Sequence, residues 1–458
     1  MQQGARRPAP SSSGRRGSAS GPATAAGSAP APASAATGIV GRRAGLQITA
    51  ASIGGALAGY VVLAVVARSV SLEENTVFVT FWSALLTMYG VLTGINTETA
   101  RAVAQAGMTA GQPGAGGAPR GTVARAVAVV AGLVLVVGLG LALTGVHVFP
   151  AGHDVLAVVV ALSAAAYAVQ ATLLGSLSGR ASWSAYAGLL GLEAGLRVVV
   201  VAATAAVIAS VASVAVAAGS AAAVWLLMLA FSRSVRRAFR AQLDAPLTTY
   251  LGRAGIAATA SGASAILLVG FPVLVSLTTE PSVFETAAPL MLAITLTRAP
   301  IMVPLTSFQS VIVAQFVRNT DRAGRTLIRA VGALGALGLV GAVGAYLVGP
   351  WLMVVLFGPE YRVSGAVLAA MTAASVGTAI ITITAALSQA LRRQVGFVAG
   401  WLVALTVTIL FLLSGWNLET RLLGALLVAP YCGVLVHLVV IRRALQQQGR
   451  TPVSSDAR

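Results

Sequence analysis

The sequence predicts an all-α integral membrane protein whose 12 transmembrane helices form two parallel six-helix repeats, on three observations. Of its 458 residues, 57% are hydrophobic and 9% charged, giving a mean hydropathy of +0.87 that water-soluble domains do not reach. The apolar residues run on for whole helix lengths of Ala, Val, Leu and Gly, unlike the short alternating segments of a membrane barrel. A pattern also recurs: Glu74-Asn-Thr-Val77-Phe78-Val-Thr80 is matched at Glu, Val, Phe and Thr by Glu280-Pro-Ser-Val283-Phe284-Glu-Thr286. The match joins spans 1 and 2 to spans 7 and 8, and an even offset of six spans makes the repeats parallel. This composition excludes a soluble enzyme.

Residues 1–40 are mostly Ala, Ser, Gly and Pro, with four arginines (Arg6, Arg7, Arg15, Arg16) and no acid. Such a segment cannot bury enough apolar surface to fold and lacks the apolar core of a signal peptide, so a disordered cytoplasmic tail is expected. It is a spacer, or it rests its arginines on anionic headgroups. An N-lobe (41–240) follows with spans at about 45–67, 76–95, 122–146, 155–178, 183–207 and 209–231. A C-lobe (241–445) carries spans at about 253–277, 287–314, 327–348, 364–389, 395–413 and 421–441, and residues 446–458 form a second tail. Each span is close to the ~20 residues that cross ~30 Å of hydrocarbon. No proline or charge separates spans 5 and 6; an even number of crossings between Arg180 and the Arg233–Arg240 cluster requires both.

The net charge of +18 comes from 30 basic residues, all arginine, against 12 acids. They sit in short clusters between apolar runs, where they orient helices, so nucleic acid is not the expected partner. Three fall on one side (Arg68, Arg362, Arg421), two within spans (Arg197, Arg298) and the remaining 25 on the side that holds both termini. Both termini are therefore expected in the cytoplasm, with the chain in a bacterial plasma membrane. Cys432 has no partner for an intrachain disulfide, and His147, His153 and His437 have no carboxylate or Cys at ligand spacing, so no metal or other cofactor is expected. There is no phosphate-cradling loop ending in Lys, which excludes an ATPase.

Charges where lipid forbids them carry the functional signal, because an ionised group at the bilayer centre costs about 2.5–3.5 kcal/mol and is kept for a partner or a cavity. Glu193 and Arg197 are spaced i, i+4 with the acid first, the favourable order for a helical pair. They either neutralise each other or, if a cavity reaches them, exchange partners with a proton, cation or phosphate; Glu193 is then the candidate for ion coupling. Arg298 has no acid within a turn. It shares a helical face with Thr295, Met302, Thr306 and Gln309, while Pro300 and Pro304 free backbone carbonyls nearby. In span 10, Ser375, Thr378, Thr382 and Gln389 form a second polar seam, either interhelical glue or cavity lining.

The stretch Val355-Leu-Phe-Gly-Pro-Glu-Tyr361, with the turn at Arg392 and Arg393 between two spans, resembles the polysaccharide biosynthesis flippases of the multidrug/oligosaccharidyl-lipid/polysaccharide exporter superfamily. Thr297-Arg298-Ala-Pro300 and Gly94-Ile-Asn96-Thr-Glu98-Thr-Ala-Arg101 are similar to segments at equivalent places in that family. The resemblance implies a V of two six-helix lobes around a cationic cavity that opens alternately to each side, for moving polyprenyl-pyrophosphate-linked sugars between leaflets. Arg298, Arg197, Arg253 and Arg101 suit such a cavity by type and depth, and Asn96 and Gln309 are its candidate polar lining. Peptidoglycan-precursor flippases usually carry two further C-terminal helices, so the expected cargo is an oligosaccharide or exopolysaccharide unit. The expected partners are that lipid-linked cargo, membrane lipids, and glycosyltransferases or a polymerase of the same pathway. The alternatives are a cation-coupled small-molecule exporter on the same fold and a non-transporting scaffold for glycan assembly.

Overall fold

The computed structural model describes residues 42–109, 121–144, 148–298, 301–302, 305, 323–391 and 393–448. Among these, eleven helices are long and apolar enough to cross a membrane: α1 (Arg42–Ser69), α2 (Leu72–Thr109), α3 (Val123–Leu143), α4 (Val155–Gly179), α5 (Trp183–Val207), α6 (Val211–Phe231), α7 (Leu247–Leu268), α9 (Ala323–Phe357), α10 (Gly365–Ala390), α11 (Gln394–Leu412) and α12 (Leu418–Gln448). A shorter apolar helix, α8 (Ala288–Arg298), occupies the start of predicted span 8; the rest of that span lies largely outside the described residues. The expectation of an all-α, multi-pass membrane protein is met.

Local chemistry explains where the helices begin. The boundary between α5 and α6 falls at Ser210, whose hydroxyl accepts from Ser213 N, so an N-cap divides an otherwise unbroken apolar run. Thr122 and Ser364 cap α3 and α10 in the same way. Helix α2 starts earlier than predicted, because Ser71-Leu-Glu-Glu74 is a capping box: Glu74 N donates to the Ser71 hydroxyl (3.2 Å) and Ser71 N to the Glu74 carboxylate (3.4 Å). The first copy of the repeat, Glu74 to Thr80, is therefore helical throughout. Its repeat partner is a single turn, Pro281–Phe284, ahead of α8. The two copies meet, with the Thr76 hydroxyl donating to Glu285 O at 2.9 Å and both Phe78 and Phe284 buried.

Predicted span 7 is not one helix. Val269 N and Gly270 N both bond to Ala265 O, which ends α7, and a short helix Phe271–Thr278 restarts with Pro272 in its first turn. Helices α2 and α7 pack closely through glycines. A Cβ on Gly94 would lie 2.3 Å from the Ala257 backbone, and one on Gly90 would lie 2.5 Å from the Ala265 side chain. Gly94→Ala is accordingly expected to lower thermal stability in detergent, by about 1–3 kcal/mol for forced overpacking. Gly107→Ala, where no atom lies within 4 Å, is the control and should be neutral or slightly stabilising. Equal melting of the two variants would refute the close-packed seam.

At the end of the bundle predicted to face outward, the Phe-Gly-Pro-Glu-Tyr motif has a structural role. Gly358 has φ +123°, a backbone conformation that L side chains rarely adopt. It turns the chain so that Tyr361 is buried, its hydroxyl accepting from Asn75 Nδ2 at 2.9 Å. Burial pushes the Tyr361 phenol up to about 12, so it stays neutral across the physiological range. Arg68 reaches across from the end of α1 to Leu356 O (2.9 Å) and Val355 O. The orientation itself is checked by cysteine labelling in intact cells: the exposed position 73, at the start of α2, is expected to react from outside, and positions 20 and 446 are not.

Candidate functional site: the cavity at Arg298

Arg298, on α8, faces the break in α7. The last carbonyls of α7 have no intrahelical N–H partners and carry the negative end of the helix dipole. One of them, Leu268 O, accepts from Arg298 Nη1 at 2.6 Å, and the guanidinium carbon lies 6.0 Å from the centroid of the Phe271 ring. Among the described residues no carboxylate pairs with Arg298. The carbonyl beside Arg298 is thus one at the end of α7; Pro300 and Pro304, expected to free carbonyls in span 8, lie outside the described residues.

The guanidinium borders a cavity of about 600 Å³ walled by Tyr60 of α1, Trp82 and Ser83 of α2, Phe271 and Pro272 at the α7 break, and Thr295 of α8. The wall is chiefly aromatic and aliphatic, with Arg298 its one charged group among the described residues. Tyr60 Oη donates to Thr295 O at 3.2 Å, tying α1 to α8 beside the cavity. On its other side Arg298 faces Ser375 and Thr378 of the α10 seam. The seam hydroxyls of Ser375 and Thr382 bond within their own helix, to Met371 O (2.9 Å) and Thr378 O (2.8 Å).

Glu193 and Arg197 are both buried and form a direct ion pair. Arg197 also donates from Nε to Ala218 O at 3.3 Å and lies over two rings, 5.5 Å from Trp82 and 5.6 Å from Tyr89. Cation–π contact with two aromatics partly replaces lost hydration. The pair borders a second cavity of about 300 Å³ with Tyr89, Thr93 and Tyr167. Ser52 and Leu86 line both cavities, and Trp82 borders one while stacking on the cation of the other.

The structure brings Arg101 and Arg253 together, but at the end of the bundle and away from the wall of the Arg298 cavity. Arg101 grips Glu98 (2.6 and 2.8 Å) and Asp244 (2.8 and 3.2 Å), and Arg253 adds a contact to Asp244 at 3.3 Å. Beside them the hydroxyls of Thr99 and Tyr250 are 2.7 Å apart. This network ties the end of α2 to the start of α7 through the connecting segment. Asn96 lies beside Tyr186, and Gln309 lies outside the described residues. Sequence reasoning did not single out Asp244, because nothing local to it identifies partners 143 and nine residues away in the chain. Nor did it find Tyr60, Trp82 and Phe271, which read as ordinary apolar positions.

This arrangement of helices is similar in fold to MATE transporters of the MOP superfamily. It is similar to an inward-facing conformation of a MATE family multidrug resistance transporter, with a TM-score of 0.64 and 15% identity over 86% of this chain and 95% of that one. A MOP superfamily transporter from Pyrococcus furiosus, described as having a binding pocket of reversed polarity that suggests a different function, matches with a TM-score of 0.58 at 14% identity over 89% of this chain and 96% of its own. In sequence, the chain is 35% identical over 388 residues to the uncharacterized protein Rv3630 of Mycobacterium tuberculosis (strain ATCC 25618 / H37Rv), covering 85% of this chain and 89% of that protein. It is 34% identical over 409 residues to the uncharacterized protein Rv1510 of the same strain, covering 89% and 94%. The chain belongs to the family of these mycobacterial proteins. No family model matches it.

Proposed function

We propose that the chain moves a polyprenyl-pyrophosphate-linked oligosaccharide across the plasma membrane by alternating access, without chemical change to the cargo, for cell-surface polysaccharide assembly. The observation that carries this reading is Arg298: a cation with a backbone carbonyl but no described carboxylate for company, set in the wall of a mostly apolar cavity. A pyrophosphate cannot cross hydrocarbon unaided, and a guanidinium offers it charge-assisted bidentate bonds while the apolar wall suits an isoprenoid tail. Pathway glycosyltransferases or a polymerase would be its neighbours, and both termini would be cytoplasmic.

A second reading is favoured by a different observation, Glu193 at the wall of the cavity of about 300 Å³. Here the chain is a cation-coupled exporter of small molecules on the same fold, with Glu193 as the coupling group. The two are separated with purified protein in vesicles. Saturable binding of the lipid-linked oligosaccharide, competed by polyprenyl pyrophosphate, is the expected result. Gradient-driven export of a cationic compound with no such binding would move the function to the exporter.

A further inference from the structure

The connection between α6 and α7 carries an arginine cluster that the transport cavity does not use. Helix α6 ends at Phe231, which is 84% exposed, with Leu226 and Leu227 also exposed just before it. Ser232 then caps a short amphipathic helix, Arg233–Phe239, by accepting from Val235 N. Its Val235 and Ala238 are buried, while Arg233, Arg237 and the following Arg240 are exposed. Arg236 behaves differently: its Nη1 donates to Leu229 O (3.1 Å) and Ala230 O (2.6 Å), the free carbonyls at the end of α6, and so fixes the bend.

Two further exposed arginines are brought to this helix by the surrounding structure. The Ser176 hydroxyl donates to Ala238 O at 2.8 Å, which places the end of α4 and its Arg180 beside it. Val123 N bonds to Ala241 O, and Leu243 N to Gly121 O, both at 2.9 Å, which brings up the first turn of α3 and Arg125. Among the described residues, none of Arg125, Arg180, Arg233, Arg237 and Arg240 has a carboxylate partner, because the nearby Asp244 is held by Arg101 and Arg253.

We propose that this cluster is a binding surface for the headgroups of anionic phospholipids. Its position selects lipid over a soluble anion: the cluster begins where an apolar, lipid-facing helix ends in an exposed aromatic, the level at which headgroups lie. Guanidiniums at that depth attract acidic lipid with an energy that falls off within a Debye length. Bound lipid would hold the segment joining α6 to α7, and with it Asp244 and its two arginines, against the bilayer surface.

The test is native mass spectrometry of the full chain released from nanodiscs containing equal phosphatidylglycerol and phosphatidylcholine. Wild type is expected to retain phosphatidylglycerol preferentially, and Arg233→Gln/Arg237→Gln to lose about tenfold of that preference. Arg442→Gln/Arg443→Gln removes the same charge from the exposed end of α12 and is expected to leave it intact. Inorganic phosphate added as competitor is expected not to displace the lipid. The proposal is overturned if wild type shows no preference, if both double variants lose it equally, or if phosphate competes. If the Arg233→Gln/Arg237→Gln protein fails to insert, Arg125→Gln/Arg180→Gln removes two exposed charges of the same cluster from α3 and the end of α4; it is expected to lose the preference, and an unchanged preference there overturns the proposal.

Discussion

Arg298→Ala is expected to leave the protein in the membrane yet abolish surface glycan, with the lipid-linked intermediate accumulating on the cytoplasmic leaflet. Each charge-assisted hydrogen bond that a guanidinium makes to phosphate contributes about 1.5–3 kcal/mol, so losing a bidentate pair should weaken cargo binding by at least about a hundredfold. The fold should tolerate the change better than the site does. Arg298 anchors itself to a single carbonyl, Leu268 O, and that carbonyl then faces a cavity. Arg298→Lys should be partly active at best, since an ammonium reaches the carbonyl but lacks the planar fork. The measurement is binding of polyprenyl-pyrophosphate oligosaccharide to purified wild-type and variant protein, with flipping in vesicles. Equal affinity and equal flipping would make Arg298 a packing residue and remove the observation on which the flippase reading rests.

Neutralising one member of the Glu193–Arg197 pair should be the most damaging single change to stability. Both residues are buried, and stranding one charge of a buried pair costs about 3–5 kcal/mol, whereas removing both is often close to neutral. Glu193→Gln and Arg197→Gln are therefore each expected to lower protein level and melting temperature, and the double variant to recover most of the loss. Arg197 has the more to lose, because its contacts with Trp82 and Tyr89 vanish as well. If Glu193 instead couples transport to an ion, Glu193→Gln should fold normally and lose only the response to a pH or sodium gradient. Single variants unchanged in both respects would rule out either role.

The membrane spans were legible because hydropathy acts over twenty residues at a time, and the Glu193–Arg197 pair because helical spacing alone puts i and i+4 together. The capping box at Ser71–Glu74 was equally present in the sequence, and recognising it would have extended α2 to Leu72. The break in α7 was signalled only by Gly270 and Pro272, inside an apolar run long enough to read as one span, and was passed over. That single omission hid the partner of Arg298. The partner is a main-chain carbonyl 30 residues away, and every residue has a carbonyl, so no side-chain pattern could mark it. Arg101 and Arg253 show the converse: depth and charge put them on the list of cavity cations, but the fold supplies Asp244 to both.

The carbonyl that holds Arg298 has one more effect. A helix terminus presents roughly half an elementary charge, so it compensates the guanidinium only in part, and no substitution can delete a backbone oxygen. The protein thus keeps positive charge in its low-dielectric interior at Arg298, and the anionic cargo proposed above would reverse the sign of what the cavity carries. A full elementary charge moved across the whole membrane responds by about 2.3 kcal/mol per 100 mV. If the cargo is the pyrophosphate proposed above, empty and loaded forms would be pushed in opposite directions by the membrane potential, and the voltage across the bilayer would order the steps of the cycle without any dedicated sensor.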